Sequence, residues 1–368
     1  MFQQRVYRTL RSSLNIKHDK LQQLLRHTHS NYSMNIKNVP TTPQYIVPTN
    51  RECVEVQIPA QFGYIRGKWW GPTDKRPILC LHGWQDNCGT FDRLIPYLPQ
   101  DVGYLAIDSP GHGLSSKIPH GFFYSLYGYA LFLRKLAGNY EWKNLSLIGH
   151  SLGSIQSFIY SALFSSEVDL YVAIDIMAPL SDDYSSDIKK LYSQRIDKLI
   201  RYMNMQYAEP PSYSYEECVD IYVKGTRGSV DEVAAKILLN RGLTPSIKHP
   251  DKYFFSRDSR VKVGNIPAYT PEECYKLAGG INNPLLIIKA KNSPYISNTE
   301  YTLNLLDILK NTVSPHLEFV ERAGTHHLHL LEPQNVADDI SSFITKYNTQ
   351  DRSQRSHIID EIFVRKYH

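Results

Sequence analysis

Nothing in the 368-residue sequence approaches 18 consecutive uncharged apolar residues, so no membrane-spanning helix is expected. Cysteine is scarce too. The five present (Cys53, Cys80, Cys88, Cys218 and Cys274) are odd in number, widely spaced and form no C-x-x-C pair. Neither a zinc ribbon nor a thioredoxin-like site is signalled, and a reduced, intracellular protein is the simplest reading. Acidic residues are almost missing from the first 50 positions. Seven Lys/Arg stand there against Asp19 alone, a charge of +6, while the remaining residues sum to −1. The body is therefore nearly neutral and carries no nucleic-acid footprint.

Within that basic segment, Arg5, Arg8, Arg11 and Lys17 precede the first acid, and Phe2, Val6, Leu10 and Leu14 recur every four residues. An Arg-rich, Ser-containing, acid-poor amphipathic stretch has the composition of a mitochondrial transit peptide. A cytoplasmic protein with a solvated basic tail, or an interfacial helix on an anionic membrane, is the alternative. No apolar core of a secretory signal is present.

Hydrophobic residues make up 42% and charged residues 21% of the chain, an ordinary globular balance. After residue 50, short apolar runs alternate with helical patterns. Val54–Pro59 and Gly63–Trp70 read as a hairpin. Arg76–Leu81, Gly103–Asp108, Leu145–Gly149, Leu170–Asp175 and Pro284–Lys289 read as buried strands, and His316–Val320 as a further strand. Helices are expected over Phe122–Leu136, Ser151–Ser165, Thr299–Lys310 and Pro333–Tyr347. Continuous apolar strands alternating with helices predict an α/β fold with a mostly parallel, doubly wound sheet covered on both faces.

About 100 residues interrupt the alternation, too many for a loop. They carry helical spacing from Asp187 onward and three capping boxes: Ser214 with Glu217, Ser229 with Glu232, and Thr270 with Glu273 behind Pro271. Gly242 is placed to end the second of those helices. The expected organisation is a basic leader and linker over 1–50, an α/β core over 51–179 and 283–348, an inserted helical cap or lid over 180–282, and a C-terminal tail over 349–368.

Four motifs carry chemistry. Gly149-His150-Ser151-Leu152-Gly153 follows a strand and opens a helix. That is the context in which G-x-S-x-G projects a serine hydroxyl above a sheet. The amide of Leu152, next after the serine, would supply one donor of an oxyanion hole. Leu81-His82-Gly83-Trp84 ends another strand, and Trp84 is the choice for the second donor. His82 reads as a buried histidine that shapes this loop. In Asp108-Ser109-Pro110-Gly111-His112-Gly113, Asp108 and His112 read as structural. Gly324-Thr325-His326-His327-Leu328-His329 offers three candidates for the base that a serine nucleophile needs. A metal cluster among those three is not expected, because histidines at i, i+1 and i+3 in a loop converge poorly and no carboxylate stands in register.

These motifs, in this order, resemble the α/β-hydrolase superfamily over residues 52–348. The stretches HGWQDNCGTFDRLIPYLP (82–99), DSPGHGLSS (108–116) and YFFSRDSRVKV (253–263) are similar to the serine hydrolase-like family, the kraken type of insects and its vertebrate relatives. In the superfamily the base lies seven residues before a proline that opens the final helix, which from Pro333 implies His326. The usual acid position falls near Ser293, which cannot hold a charge. The superfamily's alternative is the end of the preceding strand, where Asp175 sits in Val172-Ala173-Ile174-Asp175-Ile176. An ionisable group in so apolar a run is costly unless paired.

The expected activity is a serine esterase (carboxylesterase-like) acting through an acyl-enzyme on Ser151, with His326 as base, Asp175 as acid, and the amides of Trp84 and Leu152 as oxyanion hole. No cofactor and no metal is expected. A small hydrophobic ester or acyl compound is the expected substrate, with an aromatic lid (Tyr192, Tyr202, Tyr207, Tyr222, Phe254, Phe255, Tyr275) forming an apolar pocket. A catalytically silent binding or scaffold protein that kept the fold is the alternative.

Overall fold

The computed structural model describes residues 51–180, 187–205, 210–264, 269–297 and 299–349. The basic leader and most of the C-terminal tail lie outside the described residues. The hairpin strands are β1 (Cys53–Ala60) and β2 (Gly63–Trp70), followed by β3 (Ile78–Leu81) and β4 (Tyr104–Ile107). Then come α1 (Leu126–Asn139), β5 (Leu145–His150), α2 (Leu152–Leu163) and β6 (Val168–Ile174). Next along the chain are α3 (Ile188–Asn204), α4 (Tyr215–Gly225), α5 (Glu232–Gly242), a ribbon of β7 (Leu243–Pro245) and β8 (Tyr253–Phe255), and α6 (Pro271–Ala278). The chain closes with β9 (Leu285–Ala290), α7 (Glu300–Val313), β10 (Leu317–Arg322), α8 (Leu328–Leu331) and α9 (Gln334–Tyr347).

Eight strands form one sheet in the order β1-β2-β4-β3-β5-β6-β9-β10. The pairs β1/β2 and β2/β4 are antiparallel, and every other pairing is parallel. Successive residues of a strand face opposite sides. Leu79 and Leu81 accordingly join a core with α1, α2 and α7, while Ile78 and Cys80 join the opposite one with α9 and the turns around Phe91 and Ile95. Burial on both faces is why these strands read as unbroken apolar runs. The helix expected from Phe122 starts at Leu126, because Ser125 takes the capping position and accepts from the Gly128 N–H.

The residues between β6 and β9 are not purely helical, since the β7/β8 ribbon lies among them. Two of the three expected capping boxes are present, at Ser214/Glu217 and Thr270/Glu273. The third is not. Asp231 caps α5 by accepting from the Ala234 N–H, and the Ser229 hydroxyl turns instead to Thr226 and His327. Gly242 ends α5 as the sequence implies. The helices α4 and α5 share a small core of their own around Cys218, Tyr222 and Leu238, whereas α6 lends Cys274 and Ala278 to the larger one. All five cysteines are free thiols. No helix among the described residues is long and apolar enough to cross a membrane.

Arg241 of α5 is fully buried and grips the sheet. Its Nη2 donates to Asp108 Oδ2 at 2.8 Å, its Nε reaches both Asp108 oxygens, and its Nη1 donates to Glu55 of β1. Asp108 also accepts from the backbone N–H groups of Cys88 and Leu114, both at 2.8 Å. Burial works to raise the Asp108 pKa, but Arg241 prevails and takes it down to about 2. Removing one partner of such a buried pair leaves the others charged and unpaired. Arg241→Leu is expected to lower unfolding stability by about 3–5 kcal/mol, read from the midpoint of a denaturant titration. An unchanged midpoint would show that the pair does not hold these elements together.

Candidate active site

Ser151 stands between β5 and α2 with φ +52° and ψ −115°. That conformation is uncommon for a residue with a Cβ and stores strain. The flanking glycines make the turn possible. A Cβ on Gly153 would lie 1.9 Å from the Leu81 carbonyl oxygen, and one on Gly149 would lie 2.5 Å from the Gly153 carbonyl. Only glycine lets α2 start so close to β3 and β5. The Ser151 N–H donates to Ile174 at 3.2 Å, which ties the elbow to the last residue of β6.

Asp175 follows immediately and is fully buried, again at positive φ (+56°). Its Oδ1 accepts from the Ala290 N–H at 2.8 Å, and its Oδ2 lies 2.7 Å from His326 Nδ1. The carboxylate holds the proton of His326 on Nδ1 and leaves Nε2 with a free lone pair. Burial draws the His326 pKa below its ordinary value, against the opposite pull of Asp175. The ring is therefore neutral near pH 7. The His326 carbonyl in turn accepts from His150 Nε2 at 3.0 Å, so the loop after β10 is pinned to the residue before Ser151.

The N–H groups of Trp84 and Leu152 have no acceptor among the described residues. That of Leu152 opens α2, where helix geometry supplies none. The Trp84 indole, half exposed, donates to the Val261 carbonyl at 2.7 Å and bridges to the inserted segment. Gln85 beside it is a third non-glycine residue at positive φ. The usual acid position, Ser293, lies in the turn after β9, where the backbone of Ser293 donates to Ala290.

His82 is fully buried. Its Nε2 accepts from the Ser109 N–H at 2.9 Å, leaving Nδ1–H to face the Gly83 carbonyl at 2.7 Å. It joins the loops after β3 and β4, and burial lowers its pKa. His112 is buried beside it, with its pKa pushed down to about 3 by burial and by His82. Of the aromatics expected to line a pocket, Tyr222 is buried with its hydroxyl on Asp86 at 2.7 Å, and Tyr275 rests on Tyr301 with ring centres 5.8 Å apart. Tyr207 lies outside the described residues.

Sequence reasoning missed three neighbours of this site. Tyr295 packs on the His326 ring at 4.4 Å between centres. Asp86 lies 3.2 Å from His327 Nε2. His150, taken only as the variable position of the motif, is fully buried among His326, His327 and His329 with ring centres 4.2–4.8 Å away. Burial and those three histidines hold its pKa well below the ordinary value. The one available signal was the H-G-x-x-D spacing that brings Asp86 back toward His82–Gly83.

A mostly parallel sheet with a serine on a strained strand-to-helix turn, and a histidine–carboxylate pair on later loops, defines the α/β-hydrolase class. Comparison with known proteins agrees: the model of the α/β hydrolase fold family matches residues 76–333. A Drosophila melanogaster protein named "Probable serine hydrolase" is 37% identical over 293 residues, covering 79% of this chain and 87% of its own. A "Serine hydrolase-like protein" of Danio rerio is 33% identical over 313 residues, covering 84% and 93%. The crystal structure of the hypothetical protein PA1622 from Pseudomonas aeruginosa PAO1 matches with a TM-score of 0.68 at 27% identity, across 79% of this chain and 99% of that one. The chain belongs to the α/β-hydrolase fold family and, within it, to the serine hydrolase-like proteins.

Since the elbow depends on the missing Cβ of residue 153, Gly153→Ala is expected to cost about 1–3 kcal/mol by overpacking. Thermal unfolding checks this. A variant as stable as the parent would mean that α2 has room to shift away from β3.

Proposed function

We propose that the protein is a serine esterase that cleaves small, hydrophobic carboxylic esters through an acyl-enzyme on Ser151. The observation that carries this reading is the 2.7 Å contact between His326 Nδ1 and the buried Asp175 carboxylate, on loops pinned to the Ser151 turn. His326 Nε2 takes the proton of the Ser151 hydroxyl as Oγ attacks the ester carbonyl. The amides of Trp84 and Leu152 then receive the negative charge that builds on the carbonyl oxygen. His326 gives its proton to the departing alcohol, and afterwards takes one from the water that attacks the acyl-enzyme. It returns that proton to Ser151 Oγ as the bond to the acyl group breaks and the carboxylic acid leaves. Asp175 steadies the imidazolium in both halves.

The segment between β6 and β9 acts as the lid of this reading. Its contact at Val261 with the Trp84 indole supports that role, since Trp84 also presents the oxyanion amide. The cycle uses the chain's own residues throughout.

The decisive experiment is labelling with a fluorophosphonate, with the modified peptide mapped by mass spectrometry and ester turnover measured in parallel. Ser151→Ala is expected to abolish both. Asp175→Asn is expected to reduce turnover about 10⁴-fold while leaving the fold intact. Undiminished turnover in Asp175→Asn would remove the acid assignment. A folded protein that neither small nor large phosphonates label would favour the silent scaffold instead.

A further inference from the structure

Behind the candidate active site, three buried side chains from separate parts of the chain converge: Asp86 after β3, His150 at the end of β5 and His327 after β10. One ligand atom of each residue lies within 4.8 Å of the other two. The distances from Asp86 Oδ2 are 3.2 Å to His327 Nε2 and 3.7 Å to His150 Nδ1.

The surrounding hydrogen bonds fix where the ring protons are. His150 Nε2 faces the His326 carbonyl, which can only accept, so Nε2 carries the hydrogen. A neutral ring then presents a bare lone pair at Nδ1, and that buried atom has no hydrogen-bond partner. His327 Nδ1 lies 2.9 Å from the Ser229 hydroxyl, and that hydroxyl spends its single hydrogen on the Thr226 carbonyl, also at 2.9 Å. Nδ1 of His327 must therefore donate, and a neutral ring is bare at Nε2. With both rings neutral, two lone pairs and a carboxylate oxygen meet with no proton among them; a protonated His327 would instead donate from Nε2 to Asp86 across the 3.2 Å contact. In a water-poor interior that arrangement calls for a positive centre or a doubly donating group between them.

We propose that Asp86, His150 and His327 form a binding site for a divalent cation of the zinc and cobalt type. Two imidazoles, which are borderline donors, outweigh the one hard carboxylate and favour such ions over magnesium or calcium. In a tetrahedral zinc site the ligand atoms stand about 3.3–3.4 Å apart; the two carboxylate–imidazole distances are 3.2 and 3.7 Å, and all three ligand atoms lie within 4.8 Å of one another. Each imidazole holds its outer N–H on a fixed acceptor, and the other carboxylate oxygen accepts from the Tyr222 hydroxyl at 2.7 Å. This is the outer arrangement that sets the tautomer of metal-bound histidine. The space also requires Gly83, where a Cβ would fall 2.8 Å from Asp86 Oδ2 and 2.9 Å from His150 Nδ1. The unexpected element relative to the sequence is the partnership. His327 does not combine with His326 and His329 but with residues 241 and 177 positions away.

A cation here joins the residue before Ser151 to the residue after His326. Through Tyr222 it also ties both to α4, and through Ser229 to the turn between α4 and α5. The site goes beyond the esterase reading and does not depend on it.

Full-length protein, stripped with a chelator and dialysed, would be titrated with Co²⁺ and then with Zn²⁺. The readouts are metal per chain by elemental analysis and the visible d–d absorption of four-coordinate cobalt. One tight equivalent with intense bands, bleached by one equivalent of Zn²⁺, is expected. Asp86→Asn should lose it, and Tyr222→Phe should weaken it about 10–100-fold. His316→Gln, remote from the cluster, should bind as the parent does. Circular dichroism establishes folding, and Tyr222→Phe decides alone if Asp86→Asn does not fold. No tight equivalent in the parent would overturn the proposal in favour of a buried water. Binding equal in the parent and both cluster variants would overturn it in favour of adventitious histidines elsewhere.

Discussion

The fully buried carboxylate of Asp108 is the point on which the functional end of the molecule depends. It sits at the end of β4, holds the loops after β3 and β4 by their backbone N–H groups, and receives the Arg241 guanidinium from α5. One charged group therefore orders two loops of the sheet and docks the inserted segment. Such a pair contributes little net stability, because both ions lose their hydration. What it supplies is direction, since a guanidinium fork accepts a carboxylate in few geometries. With Glu55 on the same guanidinium, the antiparallel edge of the sheet is brought into the same arrangement.

Much of the framework was legible in the sequence because its causes are local. The buried strands announce themselves as apolar runs, and Ser214 and Thr270 announce helix starts by the residue three places on. G-x-S-x-G followed by a helix is equally local. Asp175 is reached through the resemblance, as the superfamily's alternative acid position, and a charge within Val172–Ile176 supports it by demanding a partner. The failures have the opposite cause. Ser229 looks like a cap by the same rule as Ser214, yet its hydroxyl is drawn to Thr226 and to a histidine 98 positions away. The small ribbon of β7 and β8, and the placing of α6 in the larger core, are decided by packing partners remote in sequence. The grouping of Asp86, His150 and His327 is of that kind too.

Strain gathers where the chemistry is proposed. Five described non-glycine residues have positive φ, and Gln85, Ser151 and Asp175 are three of them. Ser151 and Asp175 directly follow β5 and β6, and Gln85 lies in the loop after β3, all at the same end of the parallel sheet. Conformations of this kind persist only where neighbours over-determine them. Here the neighbours are Ile174 for the Ser151 amide and Ile288 for that of Asp175. The parallel strands thus act as a rigid ruler, and the distorted residues are held against its end.

The order of strands has one more implication. Although about 110 residues separate them, β6 and β9 are hydrogen-bonded neighbours, with Tyr171 opposite Leu285. The long excursion leaves and re-enters the sheet at adjacent places, so its length imposes nothing on strand register. Closing a longer excursion costs only slowly rising entropy. Descendants of an ancestral chain could enlarge, trim or exchange this segment while inheriting the sheet unchanged. The fold is in that sense modular within a single polypeptide: the register of the sheet does not depend on the length of the segment that joins β6 to β9.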